Sequence, residues 1–407
     1  MLVTMQTPMA RHILVYINGT HHFRLIEPIF KQNPDIEFYI FSAGRITPDD
    51  FRRSSLYTLE NVHFAANLQT LKYKFNLFGA FISTDAHAAR AHVPSLRLIR
   101  IFRKIGIPIL ELQHGMFQIG LHYYDVPYKE IINDDSLPTK SFADIILGYY
   151  HIDKSPIPLT VIGYPPFANV TPQKDNGEYT LILSNLHWNT YAHQEKHTFY
   201  WVVFKYAYEH PDEKFIWKMH PAEIRDAGCN TLAKELFAIW PGLKARFLIH
   251  HENPVLSKIT IDELILNSKR VISTVSTVLL DCEMYAKNVA VYTCPSIKCL
   301  TDSLAKTALF SDYETLQASL SCSAPNFKSG LLRPYDNITF RKTIDKYYRI
   351  PDISQDKWLD LVLSELQETN NDVLATTQAM QSQIRAIEKN IKFLSEKITT
   401  IAKQIQK

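Results

Sequence analysis

Glycine is scarce in this chain, with twelve in 407 residues, and neither GxGxxG nor GxxxxGKS/T occurs. Without those patterned glycines a backbone cannot wrap a pyrophosphate in the two commonest ways, which argues against dinucleotide oxidoreductases and P-loop nucleotidases. Cysteine is sparse too. Cys229, Cys282, Cys294, Cys299 and Cys322 form no CxxC pair and are odd in number, as suits reduced, mostly buried thiols rather than a disulfide or zinc framework. Charge of one sign is lacking: 44 lysines and arginines face 41 acids, a net +3, so no general field for nucleic acid exists. No apolar run reaches the roughly eighteen residues of a membrane span, and Met1 to Arg11 has no signal-peptide core. The expectation is a cytoplasmic protein, at most peripheral at the inner face of a membrane. Metal motifs are missing as well. His193-Gln194-Glu195-Lys196-His197 misplaces the glutamate for HExxH, and Asp134-Asp135 is not a DxD, so chemistry without metal or other cofactor is expected.

What the chain has is 46% hydrophobic residues and an alternation of strand-like and helix-like runs. The first series reads as strands at His12–Ile17, Ile36–Phe41, Val62–Phe64, Leu77–Ile82, Ile107–Leu112, Ala143–Gly148 and Leu159–Gly163, with helices over Phe23–Lys31 and Ala86–Lys104. Gly163-Tyr164-Pro165-Pro166 and the polar stretch from Thr171 to Gly177 mark a boundary. A second series follows with strands at Tyr179–Ser184, Phe215–Met219, Arg246–Ile249 and Val271–Ser273, and Val289–Tyr292 closes its core. Aromatic runs such as Phe199-Tyr200-Trp201 read as core, not as base-stacking platforms. The fold class is therefore α/β, with two doubly wound Rossmann-like domains facing a cleft. Residues 1–166 are expected to be an acceptor domain, 178–330 a nucleotide-donor domain, 331–365 a linking crossover segment and 366–407 a coiled-coil tail.

The tail reading rests on Ile384, Ile387, Ile391, Leu394, Ile398, Ile401 and Ile405, spaced by threes and fours as in a heptad seam that would make a homo-oligomer. Lys389, Lys392, Lys397, Lys403 and Lys407 allow the rival of a basic helix lying on a membrane, but Glu388, Glu396 and the narrow seam favour pairing.

Polar motifs fall where strands end, which is where ligands bind in parallel sheets. His220-Pro221 ends one strand, and Ser273 to Thr277 ends another before an apolar helix that Ser276 or Thr277 would cap. Unpaired N–H groups at such a turn, with hydroxyls beside them, favour phosphate; capping alone is the plainer explanation of either motif. In the first half, Gln113-His114-Gly115 and Asp85 sit at strand exits. His114 is the first candidate for a base, since histidine titrates near neutrality, and Asp85 the second. Gln113, Gly115 and His21 belong to the same acceptor side, and Glu283, on the capped helix, can accept hydrogen bonds from ribose hydroxyls, with a solvated helix face as the equal alternative.

His220-Pro221 followed by Ser273 and Ser276-Thr277, with Gln113-His114-Gly115 upstream, resembles the GT-B glycosyltransferases of bacterial surface polysaccharides. The motifs look like those of sialyl-, polysialyl- and Kdo-type transferases using CMP-sugars and of the CDP-glycerol polyol-phosphate transferases of teichoic acid synthesis. The resemblance spans roughly residues 12 to 300 and implies that His220, Pro221, Ser276 and Thr277 grip the donor's phosphate while Ser273 lines the turn. An acidic pair followed by glycine, the base of the sialyl relatives, is not evident in the first domain, so that base is not carried over. The expected activity is metal-independent transfer of a sugar from a CMP-, CDP- or UDP-linked donor to a cell-surface polysaccharide or glycolipid acceptor. A polyol-phosphate transferase, a nucleotide-sugar epimerase and a non-catalytic assembly protein are the alternatives.

Overall fold

The structure, a computed structural model, describes residues 10–364 apart from 72–73, 75–76, 88–92, 119–140, 153–154, 156, 169–176, 187–190, 222, 226, 303, 322–326, 355, 359 and 362–363. The first domain runs β1 (Arg11–Tyr16), α1 (Phe23–Lys31), β2 (Ile36–Phe41), α2 (Pro48–Arg52), β3 (Val62–Ala65), β4 (Phe78–Ser83), α3 (Val93–Lys104), β5 (Ile109–Leu112), β6 (Ile145–Gly148) and β7 (Leu159–Val161). Its strands form a 7-stranded parallel sheet in the order β3-β2-β1-β4-β5-β6-β7. The second runs β8 (Tyr179–Ser184), α4 (His193–Glu209), β9 (Lys214–Met219), α5 (Ala227–Ile239), β10 (Phe247–Ile249), α6 (Ile261–Leu266) and β11 (Ser268–Ser273). It continues through α7 (Val278–Met284), β12 (Val289–Tyr292), α8 (Lys298–Thr301), β13 (Leu309–Phe310) and α9 (Tyr313–Leu320), and α10 (Asn337–Tyr347) follows. This 6-stranded sheet has the order β10-β9-β8-β11-β12-β13.

Both sheets are covered on both faces, which is why their strands read as continuous apolar runs instead of alternating ones. Ile13, Leu14 and Val15 of β1 are buried on either side of the sheet. Phe23, Ile26, Ile29 and Phe30 make the buried stripe of α1 at helical spacing. In each sheet the strand order reverses once, between β1 and β4 and between β8 and β11, and a crevice opens at the carboxyl ends there. No helix among the described residues is long and apolar enough to cross a membrane.

Three expectations need correction. The helix expected from Ala86 is seen over Val93–Lys104, and Ala86 and His87 lie outside it, His87 bridging Ser141 instead. Val289–Tyr292 does not close the second sheet, since Leu309–Phe310 adds a parallel edge strand too short to show as a run. Thr277 stands at the N-cap position of α7, but its side chain makes no capping bond.

Beyond Ser329 the chain returns to the first domain. Arg341 of α10 makes two hydrogen bonds to Asp35, at 2.7 and 2.6 Å, and Asn33 donates to Asn337 at 2.7 Å. The Tyr348 ring lies so close over Gly79 that a Cβ there would come within 2.4 Å. Trp358, 1% exposed, stacks beside Phe102. At the crossing itself, Gly163 has φ +75, and a Cβ would meet the Pro334 carbonyl oxygen at 2.0 Å, so the two connections between the domains run in contact. Arg24 of α1 locks the domains further. It donates to both oxygens of Asp262 at 2.7 and 2.5 Å and lies 2.9 Å from Asp281. Burial works against its charge, yet Asp281, Tyr164 and Asp262 hold its pKa well above the ordinary value. The proposed tail, 366–407, lies outside the described residues.

Candidate functional site

The crevice of the first domain is lined by the exits of β1, β4 and β5, and their adjacency in the sheet brings distant sequence motifs together. After β1 the chain turns into a short 3-10 segment, Thr20–His22. There the His21 and His22 rings lie 4.0 Å apart between centroids, and His22 meets His114, from the β5 exit, edge-on at 5.0 Å. The backbone N–H of Asn18 donates to Nδ1 of His22 at 3.2 Å, which puts that ring's proton on Nε2. Asp85 lies at the β4 exit and is 1% exposed; it accepts from the Thr84 hydroxyl at 3.0 Å. Its charge reaches both neighbours. Tyr16 is pushed up to about 12 by burial and then by Asp85. His21 is lowered to about 4, first by desolvation and then by His114, with Asp85 pulling the other way.

Thus His114, Asp85 and His21 share one site. His22, a weaker candidate together with His21 from the sequence, completes it with Thr84 and Tyr16, and only these last two were missed. Asp85 is buried beneath the histidines, so it acts on them electrostatically and His114, half-buried, is the group nearer solvent. Gln113 has another role. It is fully buried, donates to the Gly115 carbonyl at 2.8 Å and accepts from the Tyr149 N–H at 2.8 Å, so it shapes the loop. Gly115 has no positive φ, so this turn makes no use of glycine's backbone freedom. Gln118 accepts from the His114 N–H at 2.9 Å and donates to buried Glu111 at 2.8 Å, bracing the loop from below.

The second domain meets this loop directly: the Met116 N–H donates to Oγ1 of Thr277 at 2.9 Å. Thr277 therefore uses an acceptor lone pair across the domain boundary, and its own O–H remains a donor. Ser276 is half-buried beside it. Ser273 does not line an accessible surface, being fully buried with its hydroxyl donating to the Thr274 carbonyl at 2.7 Å. The Thr274 hydroxyl accepts from the Asn185 N–H at 2.9 Å and ties the exits of β8 and β11 together. Glu283 is not open to a ribose here, because its Oε2 accepts from the Ser329 N–H at 3.0 Å and from the Ser329 hydroxyl. His220 and Pro221 are exposed at the exit of β9, with the His220 N–H donating to the Ser184 carbonyl at 2.9 Å. One strand, β8, separates that exit from the β11 turn.

Sequence reading also missed Glu223, three residues after His220. It has no exposed surface and accepts from the Ser184 hydroxyl at 2.8 Å, the Tyr200 hydroxyl at 2.7 Å and the Leu186 N–H at 3.2 Å. Burial pushes its pKa up while these donors pull it down. Among the described residues no group of three or more His, Cys, Asp or Glu side chains is arranged to hold a metal ion.

No protein-family model matches the sequence. No curated protein matches it either. Solved structures do match in fold. The Methanocaldococcus jannaschii UDP-GlcNAc 2-epimerase, in complex with UDP-GlcNAc and UDP, superposes with a TM-score of 0.54 at 12% identity, covering 83% of this chain and 100% of that one. The S. aureus MnaA–UDP co-structure gives 0.50 at 11% identity over 83% and 96%. At such identities the likeness is one of fold: two Rossmann-like domains facing a cleft, the GT-B arrangement. It does not single out the sialyl- or Kdo-type transferases.

Proposed function

We propose that the chain is an enzyme acting on a nucleotide-activated sugar, and specifically a glycosyltransferase that moves the sugar to a hydroxyl of a cell-surface glycan or glycolipid. One observation carries the reading: the hydrogen bond from Met116 to Thr277 sets the histidine cluster of the first crevice against the hydroxyl-bearing turn of the second. In this reading His114 accepts the proton of the acceptor hydroxyl as that oxygen bonds to the anomeric carbon. The bond from that carbon to the donor phosphate breaks, and its electrons stay on the phosphate oxygen. His220, Ser276 and Thr277 face the growing charge with donors fixed in advance, which lowers the barrier without a cation.

A second reading has support of its own. The solved structures above are an epimerase of UDP-GlcNAc and a protein bound to UDP, so the same cleft suits a nucleotide-sugar epimerase. Incubating UDP-GlcNAc, other activated sugars and CDP-glycerol with and without a glycan acceptor, followed by proton and phosphorus NMR, separates these readings. Transfer predicts free nucleotide only when acceptor is present. Sugar inversion at C2 with the nucleotide still attached and no acceptor would replace it with the epimerase, and a phosphodiester in the product would mark polyol-phosphate transfer. An unchanged spectrum in every mixture would count against all of them.

A further inference from the structure

Lys218 lies at the carboxyl end of β9, two residues before His220. Side chains alternate along a strand. Phe215, Trp217 and Met219 belong to the cluster beneath α4 and α5. Ile216 packs on the opposite face with Leu181, Leu183, Val271 and Leu280, so Lys218 shares that face. Register extends the row, since Lys218 pairs with Leu183 and Leu183 with Ser273, the last residue before the Thr277 turn. Met116 and Tyr150 of the first domain belong to this same cluster and not to the one beneath α4 and α5. The lysine thus stands on the side of the second sheet that the first domain approaches, one strand from the turn assigned to phosphate.

A half-buried ammonium in such a place normally has an acid beside it. Among the described residues Lys218 makes no hydrogen bond and no ion pair. Burial lowers its pKa with no charge opposing the shift. Its neighbour His250 is also lowered, first by burial, with Lys218 and His251 adding to the shift, and it donates through Nε2 to the Ile259 carbonyl at 3.4 Å. No anion comes from that side either. An unpaired cation withdrawn from water costs stability, and the cost is offset if a ligand brings the missing charge.

We propose that Lys218 is the counter-charge for the second phosphate of the donor, so that the chain takes nucleoside-diphosphate sugars in preference to nucleoside-monophosphate sugars. This rests on the reading of the second domain as the donor side. A sugar on a nucleoside monophosphate carries one negative charge, which His220 and the Ser276-Thr277 hydroxyls can face. A diphosphate linkage carries two, and a desolvated ammonium beside the same loop suits the added one.

Calorimetric titration of wild type, Lys218→Met and Lys218→Arg with uridine, cytidine and guanosine mono- and diphosphates tests this. Wild type should prefer the diphosphate of its base by about ten- to a hundredfold, the range of one charge-assisted hydrogen bond. Lys218→Met should lose that preference and keep its monophosphate affinity, and without ligand it should melt higher than wild type because the unpaired cation is gone. Lys218→Arg should retain part of the preference. Equal affinity of wild type for mono- and diphosphate, or a preference that survives in Lys218→Met, would overturn the proposal and leave the donor site standing. A Lys218→Met protein melting below wild type would contradict the unpaired cation. Absence of binding by every nucleotide would remove the donor site itself.

Discussion

Glu223 is a carboxylate with no exposed surface, and it stays in place because each of its oxygens accepts a hydrogen bond. Through Ser184, Leu186 and Tyr200 it fastens the exit of β8 and helix α4 to the loop that carries His220, and Trp217 adds a bond to Ser184 at 2.8 Å. Glu223→Ala would leave those donors buried without an acceptor, which should cost about 3 kcal/mol in a denaturant titration. Because the folded pKa is raised above 4.5, the native state holds the proton more tightly than the unfolded chain. The group's contribution is thus full below that value and is lost as pH rises through its folded pKa, so the gap between wild type and variant should narrow from about pH 4.5 towards neutrality. A gap that widened would mean that the ionised form is the one the fold prefers. His114, Asp85 and His21 could be picked from sequence because each follows a strand. Their convergence could not, since it depends on β1, β4 and β5 lying side by side. Lys218 and Glu223 escaped for a related reason: an ionisable residue in a strand or loop reads alike whether buried or exposed, and distant packing decides which. Ser273, Gln113 and Glu283 have suitable chemistry turned inward to the protein's own backbone and to Ser329.

At the scale of elements, the long apolar runs were legible because a parallel sheet buried on both faces leaves little room for polar residues. Short pieces were not: Leu309–Phe310 is a strand through its pairing with β12 alone, and the hydroxyl of Thr277 left its helix for Met116. The cap of α10 shows local chemistry operating as the sequence would suggest. Asp336 accepts from the Thr339 N–H at 3.1 Å and from the Thr339 hydroxyl at 2.6 Å, and these bonds hold its pKa below 3.8. Asp336→Ala should therefore cost about 1 kcal/mol at neutral pH. The depressed carboxyl contributes above its unfolded value and ceases to do so as pH falls through its folded one, so the penalty should vanish in strong acid. Denaturant titrations at the two pH values check this, and an equal penalty at both would show that the charge plays no part.

For the whole molecule, two sheets, their crossing at Gly163 and the Arg24 ion pairs hold a cleft with the histidine cluster on one wall and the Thr277 turn on the other. The return of the chain to the first domain bears on the tail. Trp358 is part of the core beside Phe102, so a chain cut earlier would lose packing and confuse folding with assembly. We propose that residues 366–407 oligomerise the protein; a chain ending at Ser364 should then be a folded monomer by light scattering and the full chain a multiple of it. Equal protomer numbers would contradict the coiled coil, and binding to anionic vesicles by the full chain alone would favour the membrane-lying helix. The central claim is that the cleft holds a nucleotide-activated sugar, and thermal melts with UDP-, CDP-, CMP- and GDP-linked sugars test it most directly. At least one of them, at a hundredfold its dissociation constant, should stabilise the protein by about 2.7 kcal/mol, and His220→Ala should lose most of the shift. A melting temperature unmoved by every donor at millimolar concentration would contradict it.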